Sequence, residues 1–145
     1  DGPELSAVKK LTMQLEIEDL VIFTGRIPHE EVSDHYSIID ITPFPRRGRR
    51  VCELVSPLKP FEALAMGKAV IVSDVAALDE IIQHEKTGLV HRKDDAQSLA
   101  RCIKELVLDD RYRRELSKNG RNWVTKNRTW KMAGETVEAV YDRIS

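Results

Sequence analysis

The chain has 145 residues, of which 41% are hydrophobic and 32% are charged, and this composition excludes a disordered chain and favours one domain with its own core. A formal net charge of −1 excludes a global field that would recruit nucleic acid or a membrane surface. The longest apolar stretch, residues 69–73, is far too short to cross a membrane.

The chain opens on a turn followed by a helix. Asp1, Gly2 and Pro3 are turn residues, and residues 4–16 after them carry apolar side chains at helical spacing. The apolar side of this predicted helix consists of Leu5, Val8, Leu11 and Leu15. A turn that leads straight into a helix favours the exit of a strand that precedes Asp1.

Strand and helix patterns then alternate. A short apolar strand is predicted over residues 21–24 and ends at Gly25. A second helix is predicted over residues 29–37, and residues 38–42 lead into the next strand. Residues 43–57 contain three prolines, one glycine and four arginines, which predicts a loop.

The middle of the chain carries the clearest strand. Residues 69–73 read Ala-Val-Ile-Val-Ser, a run that is apolar on both faces and predicts a central strand of a parallel sheet. The helix before it is predicted over residues 60–66, because a proline suits its first turn and a glycine follows its end. A short helix over residues 78–83 and a strand over residues 88–91 follow.

From Asp94 the pattern is helical almost to the end. Asp94 and Gln97 resemble a capping box ahead of an apolar stripe. The stripe consists of Ala96, Leu99, Ala100, Ile103, Leu106 and Val107. Further helices are predicted over residues 110–118, 120–127 and 130–144.

This alternation predicts an α/β fold, in which a mostly parallel sheet is flanked by helices and the C-terminus is helical. Ligands bind such sheets at the carboxyl ends of the strands. We therefore expect ligand contacts in the loops over residues 25–28, 43–60 and 73–78.

The loop before the helix at residues 60–66 combines positive charge with a helix N-terminus, and both attract phosphate. Lys59 stands at that N-terminus, where a cation opposes the helix dipole and an anionic ligand would explain it. Glu53 and Glu62 flank the same turn, and carboxylates accept hydrogen bonds from hydroxyl groups. A nucleotide-sugar offers both a diphosphate and vicinal hydroxyls.

Taken one at a time, these residues also have ordinary explanations. An acid in the first turn of a helix, such as Glu62, complements the helix dipole. Glu53 and the four arginines alone are typical of a solvated loop. Cys52 and Cys102 have no metal-ligand spacing and are too few for a disulfide framework, which indicates a reducing compartment and no metal site.

In their order along the chain, these motifs resemble glycosyltransferase family 4 (glycosyl transferases group 1), retaining enzymes of the GT-B fold. Residues 62–74, Glu-Ala-Leu-Ala-Met-Gly-Lys-Ala-Val-Ile-Val-Ser-Asp, are similar to the second half of the family's motif of two glutamates separated by seven residues. Residues 1–5, 21–25, 41–43 and 87–90 match flanking signatures in the same order. The resemblance implies the Rossmann-like C-terminal, nucleotide-sugar-binding domain.

The resemblance implies a set of donor contacts. Glu62 would bind the ribose hydroxyls. Counting back from Glu62 places the family's first glutamate at Leu54, so we assign its catalytic contact with the donor sugar to Glu53 and the extra residue to the proline-rich turn. The other implied donor-binding residues are Leu58 and Lys59 at the diphosphate, Ser56 in the same turn, and Arg26 and Ile27 at the base.

The implied reaction moves a sugar from a nucleotide-diphosphate-sugar to an acceptor hydroxyl with retention at the anomeric carbon, in polysaccharide or glycoconjugate biosynthesis in the cytoplasm. No cofactor and no metal are expected, because cationic side chains and helix N-termini neutralise the leaving diphosphate. Two alternatives stay open: a GT-B nucleotide-sugar 2-epimerase and a noncatalytic nucleotide-binding domain.

The resemblance also implies that residues 1–145 form an incomplete donor-binding domain. Two strands would precede Asp1 and lie between the strands at Val21 and Ile41, and the acceptor-binding N-terminal domain would be the partner of this one. We expect no contact with nucleic acid, and contact with the inner membrane only through the full-length enzyme. Alone, the chain is expected to bind donor weakly, to transfer no sugar and to self-associate.

Overall fold

The computed structural model describes residues 2–144, and the chain divides into two compact units between His35 and Tyr36. Asp1, which the sequence predicts in the opening turn, lies outside the described residues. The second unit carries the described sheet and the helices that cover it.

In the first unit, α1 (Leu5–Gln14) confirms the predicted first helix, and 3-10 turns follow at Glu18–Leu20 and His29–Glu31. α2 (Val32–Ser37), which includes the boundary between the two units, then completes the predicted second helix. The prediction of a strand over residues 21–24 is wrong, since those residues form no strand. An apolar run becomes a strand only when a neighbouring strand pairs with its backbone, and within the described chain this run has no such neighbour.

β1 (Ile41–Phe44), β2 (Ala69–Ser73) and β3 (Leu89–His91) form a parallel sheet in the order β1-β2-β3. Ile41 of β1 pairs with Ala69 of β2. Every residue of β2 is buried, as its unbroken apolar run predicts for a strand covered on both faces. The predicted α/β fold class is confirmed.

Three short helices connect the strands. α3 (Arg50–Leu54) lies inside the stretch predicted as a loop; its five residues include no proline or glycine, so a helical turn forms between the loop residues that flank it. α4 (Lys59–Ala65) confirms the predicted helix, with Pro60 buried in its first turn. α5 (Ala76–Asp79) begins at Ala76 rather than at Leu78.

α6 (Ala96–Leu108) is capped by Asp95, whose carboxylate accepts a hydrogen bond from the backbone N–H of Ser98 at 2.8 Å. The capping box predicted at Asp94 and Gln97 is therefore one residue too early. Asp94 has a φ of 57°, a left-handed conformation that belongs to the turn before the helix.

α7 (Asp110–Asn127) is one helix where the sequence predicts two. Gly120, at the predicted break, lies inside it, and a Cβ there would lie 2.6 Å from Leu64 Cδ2 and 2.8 Å from the carbonyl oxygen of Thr87. This glycine therefore serves close packing between α7 and α4. α8 (Trp130–Ile144) confirms the predicted final helix.

Helices cover both faces of the sheet. Successive side chains of β2 point to opposite faces, so its apolar residues enter two separate core clusters. On one side, Val70 packs in a core cluster with Leu64 of α4. On the other side, Ile71 packs in a second cluster with Leu106 of α6 and Leu116 of α7. The loops after the strands therefore lie together at the carboxyl edge of the sheet.

We expect Gly120→Ala to lower the free energy of unfolding by about 1–3 kcal/mol, because the new methyl group overlaps Leu64 and the Thr87 carbonyl. Gly134→Ala in α8 is the matched control. A Cβ at Gly134 meets nothing within 4 Å, and the higher helix propensity of alanine should raise stability by up to ~1 kcal/mol. Urea unfolding measures both variants, and equal stability would contradict the close packing at Gly120.

Candidate functional site

The loops that follow the three strands meet at the carboxyl edge of the sheet. Gly48, after β1, donates a backbone hydrogen bond to the carboxylate of Asp94, after β3, at 2.9 Å. Lys93, also after β3, donates a backbone hydrogen bond to the carboxylate of Asp74, after β2, at 2.6 Å. These bonds tie the loops into one surface, which we name the carboxyl-edge junction (Gly48, Asp74, Lys93 and Asp94).

Glu53 of α3 reaches this junction with both carboxylate oxygens. Oε1 lies 2.6 Å from the ammonium nitrogen of Lys93, and Oε2 accepts a hydrogen bond from the backbone N–H of Ala76 at 2.7 Å. The hydrogen bond from Lys93, followed by that from Ala76, holds the pKa of Glu53 below its ordinary value. The side chain remains 29% exposed, so Glu53 is a carboxylate that a ligand can reach.

The pKa of Lys93 shifts in the opposite direction to that of Glu53. Its hydrogen bond to Glu53 raises its pKa, and the negative charges of Glu53, Asp74 and Asp94 add to the effect. Because the pKa of Glu53 is lowered, the ion pair's stabilisation is lost as the pH falls through that pKa in the folded state. Because the pKa of Lys93 is raised, the stabilisation is also lost as the pH rises through the folded-state pKa of Lys93. The pair is intact across the neutral range.

Sequence reasoning identified Glu53 but missed Lys93. The two residues are separated by forty positions in the chain, and Lys93 belongs to none of the motifs. A contact at this separation is created by the parallel sheet, which brings the loop after β3 beside the loop after β1. No local pattern signals it.

Three predicted donor-binding residues lie together at the start of α4. Leu58 precedes the helix, Lys59 is its first residue, and Glu62 lies in its first turn. All three side chains are exposed. Burial, followed by the negative charge of Glu62, raises the pKa of Tyr36.

A groove of about 390 Å³ runs beside this helix start. One wall contains Leu58, Phe61 and Glu62, and the other comes from the α7–α8 connection and the first turns of α8, including Trp130. The Trp130 side chain is 82% exposed. The position of this tryptophan in the groove wall is a feature that only the fold reveals.

Ser56 lies exposed in the connection between α3 and α4. Arg46 holds this connection in place, because its guanidinium donates a hydrogen bond to the carbonyl oxygen of Val55 at 3.0 Å. The backbone N–H of Arg46 also donates to Ser73 Oγ at 3.0 Å. Arg46, one of the four loop arginines, therefore stabilises the loop through hydrogen bonds. This role differs from that of a solvated side chain and from that of a phosphate ligand.

Arg26 and Ile27 belong to the first unit. They follow Gly25, which has a φ of 68°, a conformation that glycine adopts without strain. Their contact with the base of a nucleotide stays a prediction.

Among residues 2–144, no group of three or more His, Cys, Asp and Glu side chains could hold a metal ion. Cys52 and Cys102 are free. Burial, followed by the charge of Glu105, raises the pKa of Cys102, so this residue is a thiol at neutral pH. No described helix combines the length and apolarity that a bilayer span requires.

Parallel strands covered on both faces, with a charged junction at their carboxyl ends, define a Rossmann-like domain of the kind that forms the C-terminal half of GT-B proteins. Residues 1–123 match the family model of glycosyl transferases group 1. The chain belongs to this family.

Individual relatives agree with this assignment. The chain is 32% identical over 131 residues to the GDP-mannose-dependent alpha-(1-6)-phosphatidylinositol monomannoside mannosyltransferase of Mycobacterium tuberculosis, a match that covers 89% of this chain and 34% of the relative. Sucrose-phosphate synthase from Thermosynechococcus elongatus has a similar structure, with a TM-score of 0.87 and 30% identity over 99% of this chain and 35% of that protein. Anabaena HepE in complex with UDP-glucose shares the fold, with a TM-score of 0.80 and 16% identity over 96% of this chain and 36% of HepE. The chain thus spans about a third of the length of these proteins.

Ala76→Pro removes the N–H that bonds Glu53 and should raise the pKa of Glu53. The fold should tolerate this change, because proline suits the first residue of a helix and Val75 before it is already extended, with φ −91° and ψ 141°. Ala96→Pro, at the first residue of α6, is the matched control, for which the Glu53 pKa should stay unchanged. Carbon-13 NMR titration of the Glu53 carboxyl measures both variants. A pKa that does not move in Ala76→Pro would contradict the described contact.

Proposed function

We propose that the protein to which this chain belongs is a retaining glycosyltransferase of family 4, and that this chain supplies its donor-binding half. It transfers a sugar from a nucleotide-diphosphate-sugar to an acceptor hydroxyl, in polysaccharide or glycoconjugate biosynthesis in the cytoplasm. One observation carries the proposal: Glu53 and Glu62, from separate helices, flank a single turn at the carboxyl edge of the sheet in a member of this family.

The connection between α3 and α4 is the proposed diphosphate site. Lys59 supplies positive charge, and the backbone N–H groups of Leu58 and Lys59 supply hydrogen-bond donors, with the Ser56 hydroxyl as a further donor. When the bond between the sugar and the diphosphate breaks, negative charge grows on the leaving diphosphate. Hydrogen-bond donors that are already held in place stabilise the charged transition state more than the ground state, and this difference lowers the activation barrier of the transfer.

Glu62 is the proposed ribose contact. An exposed carboxylate in the first turn of α4 can accept a hydrogen bond from each of two vicinal hydroxyls, one at each oxygen. The groove beside Glu62 has room for part of a nucleoside.

Glu53 is the proposed contact with the donor sugar. Its lowered pKa keeps it ionised, and each of its oxygens has lone pairs beyond the one used by Lys93 or Ala76. Hydroxyl groups bonded to a fixed carboxylate orient the sugar relative to the bond that breaks. Leu54, which stands at the family spacing, has an apolar and 70% exposed side chain, and this supports Glu53 as the functional acid.

We expect Glu62→Ala to weaken the binding of nucleoside diphosphate to the full-length enzyme by about 1–3 kcal/mol, because the ribose hydroxyls lose their acceptor. Glu115→Ala, which removes an exposed acid from α7, is the matched control and should bind as the wild type does. Isothermal titration calorimetry with GDP and with UDP measures the affinity. Unchanged affinity in Glu62→Ala would remove this residue from the site.

Glu53→Gln should lower sugar transfer by roughly a hundredfold and leave nucleoside diphosphate affinity nearly unchanged, because the proposed target of Glu53 is the sugar. Glu80→Gln, at an exposed position after α5, is the control. The assay follows transfer from GDP-mannose and UDP-glucose to an acceptor and records the anomeric configuration of the product.

Each other outcome of this assay has a distinct meaning. Equal loss of transfer and binding in Glu53→Gln would indicate a misfolded loop, and loss of neither would exclude Glu53 from the reaction. A wild-type enzyme that epimerises the donor, or that binds it without turnover, would overturn the proposed transferase function.

A further inference from the structure

We propose that Lys93 is the positioning residue for Glu53: its ammonium group, anchored in the carboxyl-edge junction, fixes the Glu53 carboxylate where the donor sugar binds. This inference rests on the proposed function, because it requires Glu53 to contact the donor. It adds a residue that lies outside all the sequence motifs.

Glu53 needs an external anchor. It lies on α3, which has only five residues and no side-chain hydrogen bond at its N-cap. Leu54, which follows it, is exposed, whereas Cys52, which precedes it, packs against the core cluster that includes Val70 and Val72 of β2. The Glu53 side chain receives its two hydrogen bonds from other elements, one from Ala76 at the start of α5 and one from Lys93 after β3.

Lys93 is itself held on the sheet. Its backbone N–H bonds the Asp74 carboxylate at 2.6 Å, and the left-handed turn at Asp94 follows it directly. A Cβ at Gly48 would lie 3.2 Å from Lys93 Cδ and 3.0 Å from an Asp94 carboxylate oxygen, so glycine lets the loop after β1 pack onto both. The ammonium therefore extends from a backbone that is fixed to all three strands.

Three acids surround Lys93, namely Glu53, Asp74 and Asp94. Among the described residues, only Glu53 lies within ion-pair distance of its ammonium group. Lys93 therefore directs its charge at Glu53, while Asp74 and Asp94 bond the backbone N–H groups of the junction.

The exposure of the pair favours a role in positioning over a role in stability. The side chains of Lys93 and Glu53 are 38% and 29% exposed, and ion pairs that water reaches contribute little to folding. The same exposure leaves the free lone pairs of Glu53 open to sugar hydroxyls. The hydrogen bond from Lys93 lowers the pKa of Glu53, so both carboxylate oxygens remain acceptors to lower pH than in an unpaired glutamate.

The test uses Lys93→Met, Lys93→Arg and the control Lys86→Met in the full-length enzyme. Lys86 is exposed in the turn before β3. Lys93→Met should lower kcat by roughly ten- to a hundredfold, with nucleoside diphosphate affinity and the unfolding temperature close to wild type. Lys93→Arg should restore most of the turnover, because it keeps the charge and the donors.

The pH profile adds a readout that a purely structural role would not move. In Lys93→Met the pKa of Glu53 rises towards its ordinary value, so the acid limb of the kcat profile should shift to higher pH. In a Glu53→Gln background, Lys93→Met should cause little further loss, because the group that it positions has already lost its charge.

The outcomes separate this inference from the proposed function. If Glu53→Gln is inactive but Lys93→Met has wild-type kcat and an unmoved acid limb, only the inference about Lys93 is overturned. A full additional loss in the double variant, or a loss that follows unfolding and is not rescued by arginine, also overturns it. If Glu53→Gln is fully active, the proposed role of Glu53 fails and the inference fails with it.

Discussion

Every side chain of β2 is buried, so the sheet must be covered on both faces, and most of the structure depends on this constraint. α4 and α5 pack on one face and α6 on the other, while α7 contributes Val124 to the first core cluster and Leu116 to the second. Because the connections between parallel strands return across the faces, the loops after the strands gather at the carboxyl edge. Charged side chains can face solvent there without entering the core.

Charge at this edge is arranged in two neighbouring places. At the junction, the Glu53 carboxylate pairs with Lys93, and at the start of α4 the cation Lys59 lies three positions before the acid Glu62. An ionised acid accepts hydrogen bonds from hydroxyls, whereas cations and backbone amides bind phosphate. The two acids flank one short turn, and Lys59 and the backbone amides lie between them, an order that suits the hydroxyls and the diphosphate of the proposed nucleotide-sugar.

The sequence predicts those parts of the fold that neighbouring residues decide, such as the buried strand over residues 69–73. Residues 21–24 carry a similar local pattern, but a strand also needs a partner, and the local pattern does not contain that information. Gly120 has the propensity of a helix breaker, yet close packing between two helices explains it inside α7. In the candidate site, motif resemblance identified Glu53, whereas its contact with Lys93 spans forty positions and arises only when the sheet forms.

We propose that the turn at the start of α4 binds the diphosphate of a nucleotide-sugar. A crystal structure of the full-length protein with bound nucleoside diphosphate tests it most directly. We expect phosphate oxygens within hydrogen-bond distance of the backbone N–H groups of Leu58 and Lys59, and ribose hydroxyls at the Glu62 carboxylate. A nucleotide bound at full occupancy elsewhere on the protein, with this turn making no contact to it, would contradict this binding site.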